Sequence, residues 1–301
     1  MHAVVIHETG GPEVLRYEEV PPPEPDDGEV LIRVHAASVN PVDWKRRRAM
    51  PADQLPAVLG RDMCGTIEVS RAAGFAAGDA VFGSAGTGGY AELTASPASA
   101  IARKPDAITH EQAAAIPVAG LTAWQALFDG GGLAAGQVAL ISGGAGGVGH
   151  FAVQFAKHAG ARTIATGSTG NRDFVLGLGA DQYVDYTREH VADAVSGVDV
   201  ALDTVGGETP RSLLGAVRGG GILLGIAGGL PEEEARARGV RTSPSRRNAN
   251  PDQLARIADL VSSGEVRVEI AEVLPLSDVA RAHELSEAGH VRGKLVLAVA
   301  A

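Results

Sequence analysis

One cysteine, Cys64, stands in a chain of 301 residues. A disulfide framework within the chain is therefore impossible, and a zinc centre built on cysteine nearly so. Cys64 is expected to pack as a small apolar side chain. Basic charge is scarce as well: 26 Lys and Arg against 36 Asp and Glu leave a formal charge of −10, which repels nucleic acid on average. The densest basic run, Lys45-Arg46-Arg47-Arg48, reads as a solvated loop. No apolar run approaches the roughly 20 residues a membrane span needs. The opening MHAVVIHETGG does not read as a signal peptide. The expectation is a cytoplasmic enzyme of two ordinary domains, with neither a membrane nor a nucleic acid as partner.

Glycine, by contrast, is plentiful, with 40 residues clustered at turns and motifs. Residues 1–115 read as β-rich, with strands at 2–7, 29–39, 65–70 and 79–86 and a proline-rich connection at 20–29 that cannot join a central ladder. From about 119 the pattern changes. Strands at 138–142, 162–167, 183–186, 199–205 and 222–226 alternate with helices at 148–160, 172–178, 188–196 and 209–217. This alternation demands right-handed crossovers and a parallel sheet. Residues 230–250 read as irregular. Helices follow at 251–264 and at 276–289, the latter with Ser277 as N-cap, and a last strand at 293–299.

The stretch ISGGAGGVG (141–149) places Gly144, Gly146 and Gly149 in a G-x-G-x-x-G pattern between an apolar strand and an amphipathic helix. The first glycine permits the tight turn, the second lets backbone approach a pyrophosphate, and the third lets helix and strand pack closely. Ala145, Gly147 and Val148 complete the loop, whose N–H groups point at the anion. A purely structural turn is the rival reading. In a NAD site an acid about 20 residues further on binds the ribose hydroxyls. Here Ser168, Thr169, Asn171 and Arg172 occupy that place, a set suited to a 2′-phosphate, the rival reading being that Arg172 is only a solvated residue in the first turn of the next helix. NADPH is the expected cofactor, with NADH kept as the alternative by Asp173.

The ordered segments AGLTAWQAL (119–127), ISGGAGGVG, LDTVGG (202–207) and HVRGKLVL (290–297), after a glycine-rich β-domain, resemble the medium-chain dehydrogenase/reductase superfamily. SVNPVDWK (38–45), VLGRDMCGTIEV (58–69) and GGYAEL (88–93) resemble its zinc-free quinone oxidoreductase (zeta-crystallin-like) branch. The resemblance implies an α/β fold, with a GroES-like β-barrel catalytic domain (1–118 and 265–301), an inserted Rossmann NADP-binding domain (119–264) and a cleft separating them. Zinc members carry a cysteine at the first site segment and Gly-His-Glu at the second. This chain has Asn40-Pro41-Val42-Asp43 and Gly60-Arg61-Asp62 there, so no zinc and no other metal is expected.

Hydride delivery to an electron-poor carbon is then the implied chemistry, with a quinone as acceptor or, alternatively, the C=C bond of an enone or alkenal. A cofactor-binding structural protein of the crystallin type is the non-enzyme alternative. By resemblance, Asn40 lies beside the nicotinamide ribose and substrate, and Thr122 contacts the carboxamide. Asp43 and Lys45 line the cleft near Trp44, Asp62 orients, and Tyr186 approaches the adenosine phosphate. As bare sequence these read as a turn residue, a helix N-cap, a surface loop and a strand aromatic. Val205, beside Gly206 and Gly207, and Ala227, in the 225–229 loop, sit at carboxyl ends of parallel strands, where such sheets bind ligands. Lys294 is a further candidate for the cofactor, with a rim charge as the commoner explanation. Relatives carry a tyrosine between the two site segments, and residues 46–59 contain none, which leaves solvent or Lys45 to supply the proton. Relatives also form homodimers through a Rossmann sheet edge, and 222–228 is the segment expected to do so.

Overall fold

The computed structural model describes residues 1–245 and 247–299 and divides them into two compact units. The first comprises 1–121, 249–263 and the segment from 268 onward; the second comprises 122–248 and 264–267. The helix Pro251–Ser262 therefore belongs to the first unit, although the sequence reading grouped it with the second. Its buried stripe, Leu254, Ile257, Ala258 and Val261, explains this: it packs on the strand Ile101–Arg103, with Ile257 against Gly120.

In the first unit the long strand Glu29–Val39 is the organising element. It pairs antiparallel with Asp62–Ser70 on one side. On the other it pairs with Leu93–Pro97 at its start and Lys294–Ala298 at its end. The last strand of the chain thus returns to the first unit. Branched side chains from alternate positions, among them Ile32, Val34, Ile67, Val81 and Leu297, fill the core.

The second unit is a six-stranded parallel sheet: β1 (Val138–Ile141), β2 (Arg162–Gly167), β3 (Gln182–Asp185), β4 (Val198–Asp203), β5 (Val217–Gly225) and β6 (Arg241–Pro244). The spatial order is β3-β2-β1-β4-β5-β6. The order reverses between β1 and β4, and a crevice opens at such a switch point. Strands such as β2 are buried along almost their whole length, as expected of a sheet covered on both faces.

Four sequence readings need correction. Residues 230–250 hold the helix Glu232–Ala237 and β6, so they are not irregular. The segment 222–228 is no edge, because β5 is paired on both sides; β6 is the outer strand. Lys45–Arg48 lie on a helix, Pro41–Ala49, and not in a loop. Ser277 caps nothing: a single 3-10 turn, Leu276–Asp278, precedes the helix Val279–Glu287, whose N-cap is Asp278. Among the described residues no helix is long and apolar enough to cross a membrane.

Candidate functional sites of the two units

In the second unit, the chain leaves β1 through Gly143, whose φ of 59° favours glycine. Gly144 donates to Thr166 O at 2.9 Å, which ties the loop to β2. A Cβ on Gly144 would meet Ala165 at 2.9 Å, and one on Gly149 would meet Gly143 O at 2.0 Å. Those two glycines are therefore demanded by packing. A Cβ on Gly146 would find only Gly143 O, at 3.4 Å, so this position keeps an open side that an incoming group can approach. Ala145, Gly147 and Val148 complete the turn, and the helix Gly149–His158 starts at its end. The fit to a pyrophosphate is that of a helix N-terminus behind an uncluttered backbone.

At the end of β2, Ser168 and Asn171 bracket one 3-10 turn, with Asn171 Nδ2 donating to Ser168 Oγ at 3.3 Å. Arg172 opens the next helix, exposed, its guanidinium carbon 5.9 Å from the Tyr183 ring centre. Tyr183 donates to Ser168 O at 2.6 Å and so pins the turn. Asp185, at the end of β3 opposite Gly167, went unnoticed in the sequence. Both its oxygens are engaged: Thr169 Oγ1 donates to one at 2.5 Å, and Thr187 N and Oγ1 donate to the other at 3.0 and 2.6 Å. Those hydroxyls, the Thr169 bond first, hold its carboxyl below the usual range. Tyr186 lies one residue past β3 and is 60% exposed, so it is not a strand aromatic.

Asp203, at the end of β4, was also missed. It accepts from Ser142 Oγ at 2.9 Å, Val205 N at 3.1 Å and Gly206 N at 2.9 Å. One buried carboxylate thus organises the mouth of the crevice between β1 and β4. Val205 is left exposed, and Gly206 packs so close to Ala227 O that a Cβ would approach it to 2.7 Å. Thr122 lies inside the helix Pro117–Trp124, mostly buried, and is not a cap.

The first unit contains a buried polar cluster. Asn40 is the N-cap of the helix Pro41–Ala49, and Asp43 accepts its N–H at 2.9 Å. The Asn40 side chain turns the other way. Its Nδ2 donates to Asp62 Oδ2 at 2.9 Å and its Oδ1 accepts from Lys294 Nζ, which also donates to Val39 O at 3.1 Å. Asp62 further accepts from Ser38 Oγ at 2.9 Å and Val118 N at 3.0 Å. Asn40, Asp43, Asp62 and Lys294 are each no more than 4% exposed. Asp43 is thus no surface-loop residue and Lys294 no rim charge. Lys45 does remain at the surface, its ammonium 5.5 Å from the Trp44 ring centre.

Behind Asp43 runs a chain invisible in the sequence. Tyr90 donates to Asp43 Oδ2 at 3.1 Å, His283 Nε2 lies 3.4 Å from the Tyr90 hydroxyl, and Arg47 Nη1 lies 3.0 Å from His283 Nδ1. Arg47, completely buried, also bonds Gly10 O and Glu287. Arg47 can only donate, so His283 Nδ1 accepts and Nε2 carries the proton. Burial, then the Arg47 charge, pulls His283 down to about 3. Burial, then the Asp62 carboxylate, pushes Asp43 up to about 7. Its Oδ1 has no partner among the described residues and is the place for the proton. Burial also lowers Lys294, against the attraction of Asp62 and Asp43. Cys64 packs fully buried, its thiol pushed up by burial and its Sγ 3.2 Å from His110 Nδ1.

These residues do not fit a catalytic zinc. A guanidinium (Arg61) replaces an imidazole, and Asn40 and Asp62 are spent on each other, Ser38, Val118 and Lys294. Among the described residues no three His, Cys, Asp or Glu are grouped to hold a metal.

Residues 26–106 match the alcohol dehydrogenase GroES-like domain family, and 178–297 match the zinc-binding dehydrogenase family. The structure resembles that of the quinone oxidoreductase from Coxiella burnetii, with a TM-score of 0.94 and 35% identity over 100% of this chain and 99% of that one. It also resembles the Escherichia coli quinone oxidoreductase complexed with NADPH, with a TM-score of 0.92 and 28% identity over 99% of this chain and 100% of that one. The NADPH-dependent alkenal/one oxidoreductase of Arabidopsis thaliana chloroplasts is 33% identical over 99% of this chain and 79% of its own. With both halves of the sequence, the order of the parallel sheet and the glycine turn in agreement, the chain belongs to the medium-chain dehydrogenase/reductase superfamily, in its zinc-free quinone oxidoreductase branch.

Proposed function

We propose that the protein is an NADPH-dependent, zinc-independent reductase that passes hydride to a quinone. The observation that carries the cofactor choice is the end of β2. Ser168, Asn171 and Arg172 gather there, while the acid alongside, Asp185, is already occupied by Thr169 and Thr187. A guanidinium with hydroxyl and amide donors suits a phosphate better than a diol. The loop Gly144–Gly149 would hold the pyrophosphate, with Tyr186, Val205 and Ala227 at the strand ends beside it. By family resemblance Asn40 and Thr122 face the nicotinamide, and Asp62 with Lys294 fixes the Asn40 amide in one orientation.

Reduced nicotinamide supplies the hydride. With one proton from solvent, a quinone becomes a hydroquinone, so the protein needs no strong general acid; Asp43 and Tyr90 are too deeply buried to be one. The name of the Arabidopsis relative supports a second reading, reduction of the C=C bond of an enone. Steady-state rates with NADPH and either 1,4-benzoquinone or 3-penten-2-one decide between them. The quinone reading expects kcat/KM at least tenfold higher for the quinone. The reverse order assigns the enone, and no turnover of either sinks both.

A further inference from the structure

The first unit holds a cavity of about 440 Å³ lined by Arg46, Pro56, Val58, Arg61, Thr87 and Gly88, among others. Its size suits a small organic ligand. Arg46 comes from the helix Pro41–Ala49, and Arg61 directly precedes the strand Asp62–Ser70. Gly60, also in the lining, is packed so tightly that a Cβ would lie 2.5 Å from the Tyr90 ring. The cavity therefore backs onto the buried cluster around Asp43.

Its charge is the unusual feature. Both arginines are half-buried, and no acid is among the lining residues. Neither guanidinium has a hydrogen-bond or ion-pair partner among the described residues. Elsewhere in this acidic chain Arg33, Arg47, Arg103 and Arg218 each hold a carboxylate. Two arginines without a carboxylate partner line this one cavity, and a guanidinium is suited to a planar or tetrahedral oxyanion, which it can grip through paired N–H donors. Arg61 also stands where zinc members of the superfamily carry a metal-binding histidine, so this position has exchanged a metal ligand for a fixed positive charge.

We propose that this cavity is an anion subsite that receives a carboxylate, sulfonate or phosphate group carried by the hydride acceptor. The proposal rests on the reductase reading for its substrate, and the binding arm below separates the two. The test compares 1,4-naphthoquinone with 1,4-naphthoquinone-2-sulfonate at saturating NADPH. In the parent, kcat/KM favours the sulfonate at least tenfold, and raising NaCl from 0.05 to 0.5 M erodes that ratio. Arg46→Ala and Arg61→Ala each reduce the ratio at least fivefold, and the lysine variants restore part of it. Equal ratios in parent and variants overturn the proposal and leave the reductase reading standing.

If neither quinone is reduced, the quinone reading fails, and equilibrium titration with naphthalene-2-sulfonate at saturating NADPH decides the subsite alone. At least tenfold weaker binding in R46A/R61A supports it; no binding, or unchanged affinity, overturns it. Displacement of that probe by an equal concentration of inorganic phosphate would assign the cavity to a free anion and overturn the substrate-tail proposal.

Discussion

The two units handle polarity in opposite ways. Around the glycine turn of the second, the groups that matter lie at strand ends and helix starts, and several stay open: Gly146 has one clear side, Val205 and Tyr186 are exposed, and Arg172 reaches into solvent. In the first, Asn40, Asp43, Asp62, Arg47, Tyr90, His283 and Lys294 are buried and bonded mainly to one another. An open set leaves its groups exposed to solvent and should change little in stability when one member is lost. A closed set holds its own geometry and should fail when any member leaves others unpaired.

The largest break in that comparison is Asp62→Ala. It leaves Ser38, the Asn40 amide and Val118 N–H without their acceptor and takes from Lys294 the stronger of its two attracting carboxyls, leaving only Asp43. A loss of about 3–5 kcal/mol is expected in urea unfolding. A loss below about 1 kcal/mol would mean that the cluster does not hold itself together.

The second unit offers an internal contrast of somewhat smaller size. Gly149→Ala drives a Cβ into Gly143 O and should cost about 3 kcal/mol of stability. Gly146→Ala, where the Cβ meets nothing closer than 3.4 Å, should leave stability within about 1 kcal/mol of the parent and weaken NADPH binding at least tenfold. Equal melting of the two variants would show that the turn does not distinguish packing glycines from approach glycines.

The smallest of these effects is a pH signature inside the first unit. Asp43, raised to about 7, binds its proton more tightly folded than unfolded, so its contribution is complete at low pH and is lost as pH rises from about 4 through 7. His283, lowered to about 3, has the opposite sign: its contribution is present above about 6.5 and is lost as pH falls. Between pH 4.5 and 6.5 the two slopes oppose each other, each at most about 1.4 kcal/mol per pH unit. Relative to the parent, Asp43→Asn should gain stability as pH rises across that window, and His283→Gln should lose it. Parallel stability profiles for all three proteins would show that neither group is held in the protonation state assigned here.

What the sequence revealed follows the same division. The local structure of the glycine turn, β2 and the Ser168–Arg172 segment was legible because it is written in contiguous residues: periodicity, a strand, a turn, a helix. The helix Pro41–Ala49 was not, because its buried face is Asp43 and Arg47 rather than an apolar stripe. The helix Glu232–Ala237 and β6 are short and largely polar, too brief to carry a period. Tyr90 sat inside a quoted motif, yet its role depends on Asp43 and His283, and Arg47 meets His283 across 236 positions of sequence. No local pattern encodes such a contact. Asp185 and Asp203 are legible only after the fact, as acids that close a parallel strand.

The central claim is that the open set of the second unit selects a phosphorylated dinucleotide. Equilibrium titration by nicotinamide fluorescence tests it most directly, with NADPH and NADH on the parent and on Arg172→Ala. The account predicts that the parent binds NADPH at least tenfold more tightly than NADH and that the variant loses most of that difference, with its NADH affinity within about twofold of the parent's. Equal affinity for the two dinucleotides in the parent, or a preference untouched by the loss of Arg172, would contradict it.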